Sequence, residues 1–325
     1  MERHLLAQQT HNLAQRLHPS DSVYKQWIFR YTFLELEKDL GEDGDITSET
    51  LFPDAVETEA FVISKSSGVM AGLAEIHYFL VASDPVFKPR VGGFAIDFLK
   101  KDGDKVHEGD IILRLKGNIQ DVLKVERVAL NLLQRMSGVA TVTKKYVDLL
   151  EKIGSNVLLT PTRKTLFGLL DKRAVVLGGG GTHRLSLSDA VLVKDTHLAL
   201  LKHDIAYILK MCANHPGRFL EIEVETLEDA LEAAKSFSRL HVPGGLTVPG
   251  VIMFDNMKPS SIRESIAAIA ALGLASERLL YEASGGIRFD NLEFYAQSGV
   301  DILSVGEITH SAQSLDFSLK IAETT

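Results

Sequence analysis

Three kinds of residue recur in the second half of this 325-residue sequence where they could act together. Cations come first: Arg163 and Lys164 in TRKT (162–165), His183 and Arg184 after the glycines 178–181, and Lys194 in VLVKD. Carboxylates follow, Glu223 in EIEV and Asp255 in FDN. Glycines come last, Ser284-Gly285-Gly286 in ASGGI and Gly306 in SVGEITH. Bare glycine N–H groups just ahead of a helix can hold a phosphate. Two carboxylates are a sparse oxygen set of the kind Mg2+ accepts when substrate phosphates complete its shell. The cations suit a multiply anionic substrate. Taken singly, each feature is ordinary. Glycines at strand–helix turns are turn chemistry, 178–181 could be a flexible loop, and a strand-end carboxylate can be a cap or an ion-pair partner, as Glu221 illustrates beside Glu223.

The signal is where these residues fall. Short β-rich runs at 157–160, 191–193, 219–224, 251–254, 279–282 and 302–305, with helical patterns between most of them, have the spacing of successive βα units. This predicts a (β/α) barrel, complete or open, whose strands deliver cations, then carboxylates, then glycines at their C-terminal ends. Glu223 and Asp255 are expected to face each other across the barrel mouth. The first half differs. Residues 24–40 predict a helix with Trp27, Tyr31 and Leu34 on one stripe, ended by GEDGD (41–45). ETEAFVIS (57–64), FAIDFL (94–99) and DIILRL (110–115) predict strands, separated by Gly68, Gly92, Gly93, Gly103 and Gly109 and by GLAEIHYFLVA (72–82), of helical length. The predicted division is an N-terminal extension at 1–24, an α/β sandwich domain at 25–120 to which C-terminal residues could return, linking helices at 121–156 broken at Ser137-Gly138, the barrel at 157–310 and a C-terminal helix at 311–325.

With 35 Lys+Arg against 43 Asp+Glu, the net charge is −8. Neither a nucleic-acid partner nor a membrane is expected, because both favour a clustered positive field and cations gather only around 163–194. The single cysteine, Cys212, allows no internal disulfide or cysteine zinc site, and no long apolar run or export signal is present, so a cytoplasmic setting is expected. His77, His107, His197 and His215 read as surface or satisfied core histidines.

The run LTPTRKTLFGLLDKRAVVLGGGGTHRLSLSDAVLVKDTH (159–197), with FDNM (254–257), EASGGI (282–287) and SVGEITHSAQSLDFSLKI (304–321), resembles the quinolinate phosphoribosyltransferase family of NAD biosynthesis. GDIT (44–47), GVMAG (68–72), EGD (108–110) and ERVALNLLQRMSGVAT (126–141) carry the resemblance into the first half. It implies an N-terminal α/β sandwich domain and an open barrel of the type II phosphoribosyltransferase kind, in a homodimer or an assembly of dimers. It also implies transfer of phosphoribosyl from phosphoribosyl pyrophosphate (PRPP) to quinolinate with loss of CO2, using Mg2+ and no organic cofactor. Arg127, Arg163, His183, Arg184 and Lys194, with Lys164 beside them, would bind quinolinate carboxylates and substrate phosphates, with Arg127 donated by the partner subunit. Lys164, Lys194, Glu223 and Asp255 would form the catalytic group, with Glu223 and Asp255 toward Mg2+, directly or indirectly. Ser284, Gly285, Gly286 and Gly306 would hold the 5′-phosphate.

Several positions depart from the family pattern. Pro161 stands where Asp or Gly is common, Leu166-Phe167 replaces Thr-Pro, and Thr182 and Thr196 replace Asn. A Thr keeps a hydroxyl but loses the amide donors of Asn. These changes bear on the acceptor base more than on the phosphoribosyl chemistry. Three alternatives follow: a related phosphoribosyltransferase with another heterocyclic acceptor, as in the branch found with molybdate-transport genes; a Schiff-base barrel aldolase using Lys194; and a binding-only descendant.

Overall fold

The computed structural model describes residues 3–81 and 93–322. Gly92 and Ala82, the latter ending the apolar stretch 72–82, lie outside the described residues. The described residues form two compact units, one of residues 3–13, 145–164 and 180–311, the other of 14–81, 93–144, 165–179 and 312–322.

The first unit is built on six parallel strands: Leu158–Thr160, Val191–Val193, Leu220–Val224, Gly250–Asp255, Leu279–Ser284 and Ile302–Ser304. The first pairs with the sixth, and the order then runs fifth, fourth, third, second. The first and second strands are therefore the two edges of an open barrel sheet, with no strand hidden from the periodicity among the described residues. Side-chain alternation divides each strand. On the third, Leu220, Ile222 and Val224 turn one way, and Glu221 and Glu223 the other. Helices cover the outer face. Leu227–Leu240 is representative: Thr226 Oγ1 accepts the Asp229 N–H to cap it, and Ala230, Ala233, Ala234 and Phe237 form its buried stripe. Across the strand beginnings lies the helix Arg3–His11, whose Leu6 and Ala7 pack with Leu158, Ala190, Phe219, Val251, Leu280 and Ile302. Residues 3–13 thus belong to the barrel unit rather than standing apart as an extension.

The second unit holds an antiparallel sheet in the order Phe317–Ile321, Glu57–Ser64, Ile111–Asn118, Ala95–Phe98, with helices Ser22–Leu40 and Leu73–Val81. Its outer strand corrects the helix predicted at 311–325. Phe317, Leu319 and Ile321 alternate with Ser318 and Lys320, a period of two, and pair with Ser64 to Ala60. In Ser22–Leu40 the buried stripe is Tyr24, Ile28, Phe33, Leu36 and Leu40, while Leu34 is 46% exposed, so the predicted Trp27-Tyr31-Leu34 stripe is out of phase. Tyr31 instead stacks on Phe167 at 4.5 Å, and Trp27 lies against Gly168. The predicted break at Ser137-Gly138 is absent, because Ile119–Lys152 is one continuous helix. Gly138 serves a close approach: a Cβ there would meet the Gln313 carbonyl oxygen at 2.2 Å.

Candidate active site

Eleven of the twelve predicted site residues line one cleft of about 740 Å3 at the C-terminal ends of the barrel strands. Arg163 and Lys164 follow the first strand, and the Thr309 hydroxyl donates to the Lys164 carbonyl at 2.9 Å, tying that loop to the last one. His183 and Arg184 follow the glycine run. Lys194 follows the second strand and caps the helix Asp195–Leu200, where His197 Nδ1 accepts the Lys194 N–H at 2.9 Å. His197 is therefore a local cap, as its ordinary reading predicts. Glu223, Asp255, Ser284 with Gly285-Gly286, and Gly306 come from the third to sixth strands in turn. The exception is Arg127, which sits on Ile119–Lys152 in the other unit with its side chain 59% exposed and Glu126 4.0 Å away.

The carboxylates are placed differently from expectation. Glu223 is paired in register with Met253 on the neighbouring strand, and Asp255 is the next residue on that face. The two therefore stand side by side on adjacent strands instead of across the mouth, because the sheet order keeps the third and fourth strands together. Lys194 Nζ donates to Glu223 Oε1 at 2.6 Å, and Asn256 Nδ2 donates to Asp255 Oδ2 at 2.8 Å. Burial pushes the Glu223 carboxyl up from the usual range, partly offset by Lys194 and reinforced by Asp255. Asp255 is also pushed up by burial, against the pull of Lys194 and Asn256. A half-buried pair crowded with negative charge suits a divalent cation, and an oxygen-only pair beside an open cleft suits Mg2+. On the cationic side, burial draws the Arg184 guanidinium down, Glu221 opposes this, and the nearby Arg163 adds to it. Two guanidiniums lining one cleft favour an anion there.

Two of the loop glycines adopt backbone that other residues rarely take. Gly285 and Gly286 both have positive φ, +86° and +65°, and a Cβ on Gly285 would fall 2.3 Å from Asn256 Oδ1. Gly306 leads into the turn Glu307–His310 and faces Thr162 and His310. Asp195, Asn256, Arg288, Glu307 and His310 also line the cleft. The signal for these was proximity to the quoted loops. Glu307 is fixed by Tyr146, whose hydroxyl donates to its Oε2 at 2.6 Å; burial and that carboxylate push the tyrosine hydroxyl well up. The glycine run is no loose loop either: Gly178, Gly180 and Gly181 are buried, and the Gly181 N–H donates to Leu159 O at 2.8 Å. Beneath the cleft, His183 closes over a fully buried group of Glu221, Glu282 and His11. Burial and Glu282 push Glu221 well up. Burial opposes ionisation of Glu282 as well, but the adjacent His183 and His11 outweigh it and hold Glu282 low.

A barrel that gathers cations, a carboxylate pair and open glycine loops in one cleft has the make-up of a small-molecule enzyme. The chain belongs to the quinolinate phosphoribosyltransferase family. The model for the family's C-terminal domain matches residues 139–320, and that for its N-terminal domain matches residues 45–137. Among curated proteins, a probable nicotinate-nucleotide pyrophosphorylase [carboxylating] of Methanothermobacter thermautotrophicus is 35% identical over 283 residues, 85% of this chain and 93% of that one. The chloroplastic nicotinate-nucleotide pyrophosphorylase [carboxylating] of Arabidopsis thaliana is 34% identical, covering 89% of this chain and 81% of its own. Among solved structures, NadC from Streptococcus pyogenes has a TM-score of 0.73 at 31% identity, with 94% of this chain and 98% of that one covered. The chain is accordingly a pentosyltransferase of this family, and the aldolase and binding-only readings are not favoured. No described helix is long and apolar enough to cross a membrane.

Proposed function

We propose that this enzyme transfers phosphoribosyl from PRPP to quinolinate and decarboxylates the product, giving nicotinate mononucleotide, pyrophosphate and CO2 for NAD synthesis. The observation that carries this is the convergence of Arg163, His183, Arg184 and Lys194 with the Glu223–Asp255 pair and the Ser284–Gly286 loop in one cleft. Two adjacent ring carboxylates need several cations, and Arg163, His183, Arg184 and Lys194, with Lys164 beside them, would bind them together with substrate phosphates. Ser284, Gly285, Gly286 and Gly306 would hold the 5′-phosphate, leaving ribose C1 facing the acceptor. The ring nitrogen forms the bond to C1 as the C1–oxygen bond breaks and pyrophosphate leaves with the electron pair. Cleavage of the ring–carboxylate bond next to nitrogen then sends its electrons toward the positively charged ring nitrogen, and that carbon takes up a proton. No organic cofactor is needed for either step. Mg2+ bound at Glu223 and Asp255 would supply charge neutralisation for the pyrophosphate. Lys194 and Lys164 would add fixed positive charge where negative charge develops on the leaving group.

A homodimer, or an assembly of dimers, belongs to the same proposal. It is supported by the exposed side chain of Arg127, which leaves its guanidinium open to a second chain. A cytoplasmic setting is consistent with the lone half-buried Cys212. Turnover of PRPP with Mg2+ and either quinolinate or nicotinate tests the acceptor. Nicotinate mononucleotide should form from quinolinate; use of nicotinate with quinolinate untouched would instead support the branch with another acceptor, to which the altered residues Pro161, Leu166, Phe167, Thr182 and Thr196 would then belong.

A further inference from the structure

We propose that the N-terminal segment 3–13, acting through His11, is a positioning element for the acceptor side of the cleft. This rests on the proposed cation set, and takes His183 and Arg184 as its members on the quinolinate-carboxylate side, with Arg163, Lys164 and Lys194 toward the phosphates. The segment is anchored at the strand beginnings by Leu6 and Ala7, by the two-toothed contact of Arg3 with Asp301 (2.8 and 2.6 Å), and by Arg218 donating to Gln9 O at 2.6 Å. From that anchor it reaches His183, which lines the cleft, and its neighbour Thr182. The His11 carbonyl accepts the N–H groups of both Thr182 and His183 at 2.8 Å, and the Leu13 N–H donates to Thr182 Oγ1 at 2.9 Å. His183 has φ +50°, a backbone conformation a non-glycine residue keeps only when its surroundings enforce it. Gly181 allows the approach, since a Cβ there would come within 3.0 Å of the His11 carbonyl oxygen.

The side chains continue the connection. His11 is fully buried and stacked on Phe219 at 4.2 Å, with the His183 ring edge-on at 4.8 Å. Thr10 gives its hydroxyl proton to the carbonyls of Leu6 and Ala7, so His11 Nδ1–H donates to Thr10 Oγ1 at 2.7 Å and Nε2 is aimed at Glu282 Oε2, 3.3 Å away. His183 Nδ1 accepts the Arg184 N–H at 2.7 Å, which puts a proton on its Nε2, facing Glu282 Oε1 at 3.3 Å and Glu221 Oε2 at 3.6 Å. At these lengths the contacts are electrostatic rather than well-formed hydrogen bonds. One buried carboxyl group, Glu282, thus lies between an imidazole nitrogen of the N-terminal segment and an imidazole N–H of the cleft. The four ligand-type atoms lie within 4.8 Å of one another, a spacing a metal could also use. The proton on His183 Nε2 makes that nitrogen a donor rather than a metal ligand, which favours direct contact.

The test uses the full chain with quinolinate, PRPP and Mg2+, and compares the parent with His11→Phe and His11→Gln. Phenylalanine keeps the stacking on Phe219 but removes Nε2; glutamine restores a polar group toward Glu282. The expected result is a quinolinate KM raised about tenfold in His11→Phe, the scale of a buried polar group losing its partner, with the PRPP KM unchanged and His11→Gln closer to the parent. Thr182→Val, which removes the hydroxyl that takes the Leu13 N–H, should show the same split and carries the test if His11→Phe does not fold. Unchanged quinolinate KM in folded variants, or equal changes in both KM values, would overturn the proposal. A stoichiometric metal in the purified parent would also overturn it. A parent that ignores quinolinate refutes the acceptor assignment itself, and that result is read before any variant is made.

Discussion

Gly285→Ala and Gly286→Ala form a matched pair that isolates the phosphate loop. Both positions have positive φ, so an alanine at either carries a left-handed backbone penalty of roughly 1–2 kcal/mol. At Gly286 nothing lies within 4 Å of the added methyl, and the penalty ends there. At Gly285 the methyl would sit 2.3 Å from Asn256 Oδ1 and 2.8 Å from Asn256 N. Asn256 cannot easily give way, because its N–H is bound to the Ser284 carbonyl at 2.9 Å and its side chain to Asp255. Overpacking of this kind adds about 1–3 kcal/mol. If the loop relieves the strain by moving away from the 5′-phosphate, the loss appears in kcat/KM for PRPP, about tenfold for each 1.4 kcal/mol. Steady-state kcat/KM for PRPP at saturating quinolinate should therefore fall roughly 5- to 30-fold for Gly286→Ala, and several-fold further for Gly285→Ala. Equal values for the two variants, both shown to be folded by thermal denaturation, would refute the assignment of this loop to phosphate.

Three other perturbations probe different parts of the molecule. Glu75 is fully buried; burial, then the charge of Asp102, raise its pKa to about 7 against the hydrogen bond from Tyr24 and the charge of Arg173. Its contribution to stability is complete below the unfolded value near 4.5 and is lost as pH rises through about 7, a change on the order of 3 kcal/mol. Glu75→Gln should flatten the fall in denaturation midpoint between pH 5 and pH 8, and an equally steep profile in the variant would count against it. Glu223→Gln and Asp255→Asn should each raise the Mg2+ concentration needed for half-maximal rate, measured by Mg2+ titration at fixed PRPP, whereas a lowered rate with unchanged Mg2+ dependence would remove them from the metal. Arg127→Ala mixed with Arg163→Ala should recover activity that neither has alone, through hybrid dimers; no recovery in subunits proven to exchange would argue against a shared site.

The barrel strands were legible because each is a short apolar run of the right spacing, and their C-terminal ends announced the cleft. Eleven predicted residues share it for that reason. What stayed hidden depends on which face an element presents. Residues 22–40 carry apolar side chains on more than one row, and only packing selects Tyr24, Ile28 and Leu36 over Leu34. The strand Phe317–Ile321 is short, and its pairing partner lies more than 250 residues earlier. Gly138 and Gly181 read as breaks or loose loop but mark close backbone approaches. His11 carried no signal, since it lies in a stretch read only as an N-terminal extension and its partners Glu221, Glu282 and His183 meet only when the barrel is assembled. Thr182, noted only as a departure, is explained by that assembly: its hydroxyl receives the Leu13 N–H.

The most direct measurement follows quinolinate labelled in the carboxylate next to the ring nitrogen, incubated with this protein, PRPP and Mg2+. Labelled CO2, pyrophosphate and nicotinate mononucleotide should appear in equal amounts, and none of them when PRPP is omitted. Pyrophosphate release from another heterocycle, with the label retained in quinolinate, would contradict the assigned reaction.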